Sequence, residues 1–218
     1  MLLLQGMNLA QLIAISIAFV VAITVHEFCH AWVATQLGDT TARYQGRLTL
    51  DPRAHMDPLG TLMIYVAGFG WGKPVPVNPW GLRNGPKEGM ALVSVAGPLS
   101  NLLMAAALSI PIRLGLIPFT LAGTSRFIPS LPAIITMTIY INVILAVFNM
   151  LPISPLDGFK VAVGFLPEPW SSQLARYEHR GPVILLGLIM IDYILPFSIL
   201  GTIMGLPISL LLRLVVGA

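Results

Sequence analysis

Residues 58–71, PLGTLMIYVAGFGW, are the stretch whose reading decides the topology. They are apolar for about 15 residues, whereas a helix needs roughly 20 to cross a hydrocarbon core of about 30 Å. If the segment crosses, every later span reverses direction. If it enters and leaves on one side as a re-entrant segment, it alters nothing downstream, and its irregular backbone must be buried in protein or line a watery cavity.

The surrounding chain makes the bilayer the relevant solvent. Of 218 residues, 56% are hydrophobic and 10% charged, with a mean hydropathy of +0.84, against about 25% charged in soluble domains. A net charge of +3 is too small to argue for nucleic acid, and one cysteine allows no internal disulfide. The apolar N-terminus lacks a basic n-region and a small-residue cleavage site, so it reads as retained rather than as a removable signal peptide.

Apolar runs bounded by charge, Gly or Pro predict spans at about 8–37, 89–112, 131–151, 181–196 and 198–216, the last two meeting at Pro196. Between the first two lies a Gly- and Pro-rich loop, 38–88. Within it YQGRLTLDP alternates like a short strand, and GKPVPVNP is extended because proline disfavours helix before it. The expected fold is therefore an all-α polytopic membrane protein of about five spans, with a small β-rich cytoplasmic loop and a re-entrant segment. Lysine and arginine orient it. Arg43, Arg47, Arg53, Lys73, Arg83 and Lys87 sit in the 38–88 loop and Lys160, Arg176 and Arg180 in the 152–180 loop, against Arg113 and Arg126 in the loop between them. The positive-inside rule makes the first two loops cytoplasmic, puts the N-terminus outside and places Arg213 on the cytoplasmic side.

Within the first span, AITVHEFCHAWVA (22–34) holds His26, Glu27 and His30 as an HExxH motif. Residues i and i+4 share a helix face, so both imidazoles can hold one Zn2+, with Glu27 beside the metal as a general base on the water that the metal acidifies. Glu27 lies about ten residues before the helix end, hence roughly 15 Å below the boundary, so water must reach a buried metal. A catalytic zinc needs a third protein ligand. Asp157, in the helix-breaking FNMLPISPLDGFK, and Asp192, in GLIMIDYIL, are the candidates. If residues 58–71 do not cross, the first and third spans run the same way and Asp157 emerges on the side of the histidines; if they cross, it emerges on the other.

HEFCH, AGPLSN in the second span, GWGKPVPVNP in the loop and NMLPISPLDG after the third span together resemble the site-2 proteases. These are intramembrane zinc metalloproteases, and the match, over about residues 20–160, resembles their small bacterial and archaeal branch. The resemblance implies that His26, His30 and Asp157 are the zinc ligands, that Glu27 is the catalytic base, and that Asn149 lies near the metal to bind substrate or steady the oxyanion. It implies one metalloprotease domain over 1–218 with 38–88 inserted between the first two spans, acting on a transmembrane protein substrate, with its active site toward the cytoplasmic side of the cell membrane. No span ahead of the HExxH helix, no inserted PDZ domain and no CBS pair are expected.

The other polar residues have plainer readings. Cys29 reads as a small buried residue, Asn101 as a bond to a neighbouring helix, and Gly97 and Pro98 as close helix packing. His55 and His179 read as solvated loop residues, Arg47 and Arg53 as positive-inside anchors, and Trp71, Trp80 and Trp170 as interfacial anchors. The strand expected at Gly46–Leu50 offers an edge for pairing with an unwound substrate. A metal transporter or a catalytically silent scaffold is the alternative, since intramembrane ionisable groups also mark ion pathways. Glu27 discriminates, because a transporter has no need of a base beside His26.

Overall fold

The computed structural model describes residues 7–67, 70–121 and 126–217. Its helices are α1 (Leu9–Gln36), α2 (Thr41–Tyr44), α3 (Pro58–Ala67), α4 (Pro86–Arg113), α5 (Leu131–Asn149), α6 (Asp157–Phe165), α7 (Trp170–Ala175), α8 (Gly181–Ile194) and α9 (Ile199–Val216), with short 3-10 turns between some of them. Among the described residues, α1, α4, α5 and α9 are long and apolar enough to cross a membrane.

Helix α1 starts on a capping box. The Gln11 N–H donates to Asn8 Oδ1 at 2.9 Å and the Asn8 N–H to Gln11 Oε1 at 3.0 Å, so two orphan donors at the helix start are satisfied. It ends before Gly38, whose φ of +109° is easy only without a Cβ. Ala10, Ala14, Ala18, Ala22, His26, His30 and Ala34 recur at every fourth position, and all are buried. Small residues let helices approach closely. Helices α4 and α5 pack on α1 and on each other, and the two histidines continue the alanine stripe into that contact.

Helix directions follow from cross-contacts. The Ala10 N–H at the start of α1 donates to Arg126 O, shortly before α5 begins, at 3.1 Å, so α1 and α5 run the same way. Helix α4 runs against them: Asn101 meets His26, while Val93, farther back along α4, meets His30. At the end of α4, Arg113 Nε donates to Val215 O at 2.6 Å and its Nη2 donates to Leu214 O. Helix α9 is therefore parallel to α4. Arg213 lies at the end of the bundle opposite the 38–88 loop, not on the loop side as the charge reading expected.

Two further expectations are corrected. The fourth of the five expected spans, α8, has 14 residues, or about 21 Å at 1.5 Å per residue, too short for a span. It stops near Pro196, where Asp192 accepts from Ser198 Oγ at 2.6 Å and from the Leu200 N–H at 3.0 Å. Asp192 thus caps the start of α9.

The expected β-rich loop contains no strand among the described residues; an isolated bridge joins Met56 to Gly72. The reason is a shortage of donors. Pro74, Pro76 and Pro79 have no N–H. The Lys73 N–H goes to His55 O at 2.7 Å, the Val75 N–H to Glu27 Oε2 at 3.1 Å and the Asn78 N–H to Asp39 Oδ2 at 2.7 Å. Residues 45–51 turn through Gly46, with φ of +68°, into a Pro52–Ala54 3-10 turn capped by Asp51. A substrate-pairing edge at Gly46–Leu50 lapses with the strand.

Within the stretch 58–71, Pro58–Ala67 form α3, ten residues or about 15 Å, half the hydrocarbon thickness. Tyr65 Oη lies 2.5 Å from Ser16 Oγ, well down α1. The chain then climbs back: the Asn78 N–H reaches Asp39, and the Arg83 N–H donates to Leu37 O at 2.8 Å. The segment leaves and rejoins the same end of α1. That leaves α5 parallel to α1 and delivers residues 150–157 to the level of the histidines.

Candidate metal centre

Asp157 opens α6 after a tight reversal of the chain. Gly158 sits so close to the end of α5 that a Cβ there would stand 2.2 Å from Met150 O, so the turn requires glycine. The reversal brings Asp157 Oδ2 to 3.1 Å from His26 Nε2 and 3.3 Å from His30 Nε2, while the two Nε2 atoms are 3.0 Å apart. These three groups could hold a metal ion, with ligand atoms all within 4.8 Å of one another. Asp192, the other candidate for third ligand, is committed to its cap.

The far sides of the rings test whether a cation fits. His30 Nδ1 lies 2.7 Å from the carbonyl of Val93 and His26 Nδ1 lies 2.7 Å from Asn101 Oδ1. Both partners are oxygens that accept, so both Nδ1 atoms carry the proton, and in neutral rings the Nε2 lone pairs face inward. Asp157 Oδ2 is buried without a hydrogen-bond donor. In neutral rings two imidazole lone pairs and a carboxylate oxygen thus converge at about 3 Å, which is repulsive unless a cation is shared. Nitrogen and oxygen donors in this number suit a divalent metal such as zinc with a position left open.

Gly97 of α4 lies against this group. A Cβ there would stand 2.4 Å from His30 Nε2 and 2.6 Å from His26 Nε2, so this glycine makes room for the metal group and not only for a neighbouring helix.

A cavity of about 680 Å³ opens onto the group and is lined by His26, Glu27, His30, Asp157, Asn149 and Lys160 among mainly apolar residues. Glu27 is buried at its wall, outside the group of three, with Oε2 held by the Val75 N–H. Asn149 lines the same cavity, and its Nδ2 also donates to Leu145 O at 3.0 Å. From α8, Pro182, Leu185 and Leu186 complete the apolar wall.

Several residues lie elsewhere than their plain readings suggest. Arg47, read as a positive-inside anchor, is buried, and its Nη2 donates to Lys73 O. Burial pushes its guanidinium down while the Glu27 carboxylate pulls it up. His55 is fully buried, with Nε2 2.8 Å from Thr49 O, whereas His179 is exposed as expected. Asn101 does bond neighbouring helices, but its oxygen faces a histidine of the metal group. Asn142 stands behind Asn101 and was not singled out. The signal for it was an amide inside an apolar span, a placement that is costly without a partner.

Comparison with known proteins agrees with this chemistry. The chain is 38% identical over 170 residues to "Putative zinc metalloprotease YwhC" of Bacillus subtilis (strain 168), a match covering 78% of this chain and 77% of the relative. It is 31% identical over 182 residues to Rip2 of Mycobacterium tuberculosis (strain H37Rv), which bears the same description, covering 79% of this chain and 64% of Rip2. The Mycolicibacterium smegmatis Rip2 is 29% identical over the same shares; the chain thus spans just under two thirds of these Rip2 proteins. No family model and no solved structure matches. Identity at the level seen with YwhC, over most of both chains, makes this chain a member of the site-2 protease family of zinc metalloproteases.

Proposed function

We propose that this chain is a multi-pass zinc endopeptidase of the site-2 type, a single domain that hydrolyses a peptide bond in or near a transmembrane segment of a membrane-protein substrate. The observation that carries the reading is the convergence of two Nε2 lone pairs and Asp157 Oδ2 on one point, with a separate buried carboxylate, Glu27, on the same cavity. His26, His30 and Asp157 hold the metal. Zinc, when bound, supplies Lewis acidity that acidifies water and polarises a carbonyl.

The chain's own residues do the rest. Glu27 keeps Oε2 on the Val75 N–H, which orients the carboxylate and leaves Oε1 to take a proton from the attacking water. The same oxygen then returns the proton to the leaving amide nitrogen. Asn149 uses one N–H on Leu145 O and offers the other to the oxyanion that develops on the substrate. The mainly apolar walls lower the dielectric around these charges and strengthen their interactions. Nine of the twelve lysines and arginines lie in the 38–88 and 152–180 segments, against Arg113, Arg126 and Arg213 at the opposite end. That bias supports an outward N-terminus and a site open toward the cytoplasm.

The test uses detergent-purified protein and a single-span fusion substrate. Glu27→Gln is expected to keep wild-type zinc content and lose about 10²–10⁴-fold in turnover, and chelation is expected to abolish wild-type cleavage. Cleavage by Glu27→Gln at the wild-type rate would reject the assignment of the base, and zinc flux in proteoliposomes without proteolysis would favour a transporter.

A further inference from the structure

We infer that Asn101 and Asn142 form a positioning relay across three helices that fixes which nitrogen of His26 is left free for the metal. The inference rests on the metalloprotease reading only in taking zinc as that metal. Its starting point is that both asparagines are fully buried inside the bundle, at 0% exposure, and each amide has a backbone carbonyl on one side.

The carbonyls settle the orientation of both amides. Asn142 Nδ2 lies 2.8 Å from Thr138 O, one turn back on α5. A carbonyl only accepts, so the NH2 end of Asn142 must face it, and Oδ1 points at α4. Asn101 Nδ2 lies 2.7 Å from that Oδ1 and 3.2 Å from Ala22 O on α1. Two acceptors flank the nitrogen end of Asn101, so its Oδ1 is left to face His26 Nδ1 at 2.7 Å. An oxygen that can only accept puts the imidazole proton on Nδ1, and a neutral ring then presents the Nε2 lone pair to the cavity.

The two metal-binding histidines are therefore held differently. His30 is set by the main chain, through Val93 O, whereas His26 is set by side chains that substitution can remove. An amide is suited to this post. It orients the ring as a carboxylate would in other metal sites, but it adds no charge inside a low-dielectric bundle.

The ordinary alternative is that the pair only binds helices to one another. Such a role moves stability and leaves the zinc affinity of the folded protein alone. The test measures zinc affinity by chelator competition, with thermal stability recorded in parallel, for wild type, Asn101→Leu, Asn142→Leu and the double variant. Asn101→Leu is expected to weaken zinc binding by about 10–100-fold and Asn142→Leu by less. The double variant is expected to bind no more weakly than Asn101→Leu, because the second residue acts through the first. Zinc affinity within twofold of wild type in Asn101→Leu, or additive losses in the double variant, would overturn the relay. Should Asn101→Leu fail to fold, Asn101→Ala removes the amide without adding bulk and is expected to show the same loss; zinc affinity within twofold of wild type there would overturn the relay equally. Every readout is metal affinity, so protein that binds zinc as described yet cleaves nothing would count against the protease reading and leave the relay standing.

Discussion

The bundle of α1, α4 and α5 and the pair α8 and α9 are all apolar in sequence, yet they are built for different neighbours. In the first, alanines at every fourth position of α1 admit close contact, and Asn101, Asn142, His26 and His30 are buried with partners. In the second, large side chains point outward: Val183 is 74% exposed, Ile194 78% and Leu214 70%. Lipid is as apolar as leucine, so hydrophobicity does not separate the protein-facing from the lipid-facing surfaces of a span. Small residues and paired polar groups do. His26, Glu27, His30 and Asn149 lie in the first region and Asp157 at the start of α6, whereas the second region contributes an apolar wall through Leu185 and Leu186.

Substitutions that treat the two regions alike should sharpen this contrast or break it. The largest effect is expected from Asp157→Asn, which removes the one anionic ligand: zinc content after dialysis should fall to a small fraction of wild type, and full stoichiometry would break the assignment. Next comes a pair of glycines. Gly97→Ala puts a methyl group 2.4 Å from His30 Nε2 and should weaken zinc binding by about tenfold or more, in line with other changes that misplace a ligand. Gly205→Ala in α9 meets nothing within 4 Å. It should leave zinc affinity unchanged and raise stability by up to about 1 kcal/mol. Equal losses of zinc in both would erase the distinction between the regions.

Smaller still is the effect expected at the start of α9. Ser198 Oγ accepts from the Gly201 N–H at 2.7 Å and donates to Asp192. Ser198→Ala should cost about 0.5–2 kcal/mol in unfolding, as lost caps do, with zinc content intact. Zinc loss in this variant would return Asp192 to consideration as a ligand.

Much of this was legible in the residues. The HExxH spacing pointed to the two histidines, and the helix-breaking turn and the parity of the spans made Asp157 a candidate beside Asp192. The resemblance to the site-2 proteases implied the Asp157 that stands with them. The features that escaped depend on partners far along the chain. Residues 73–78 read as extended chain in a β-rich loop, but their N–H groups go to His55, Glu27 and Asp39 and not to a neighbouring strand. Helix α8 looks like a span, because composition does not reveal that α9 ends beside α4. His55 looks solvated and Arg47 looks like a positive-inside anchor, yet both are buried, the His55 carbonyl accepting from the Lys73 N–H and the Arg47 guanidinium donating to the Lys73 carbonyl. Asn142 carried a signal, but its role appears only once Asn101 lies between it and His26.

The central claim is that His26, His30 and Asp157 meet at one zinc ion. Zinc K-edge absorption fine structure on the purified protein reads that directly. The account predicts a first shell of nitrogen and oxygen at about 2.0–2.2 Å, with the outer-shell pattern of two imidazoles and no sulfur. A zinc–sulfur distance of about 2.3 Å would bring Cys29 into the shell and contradict it, as would a shell containing a single imidazole.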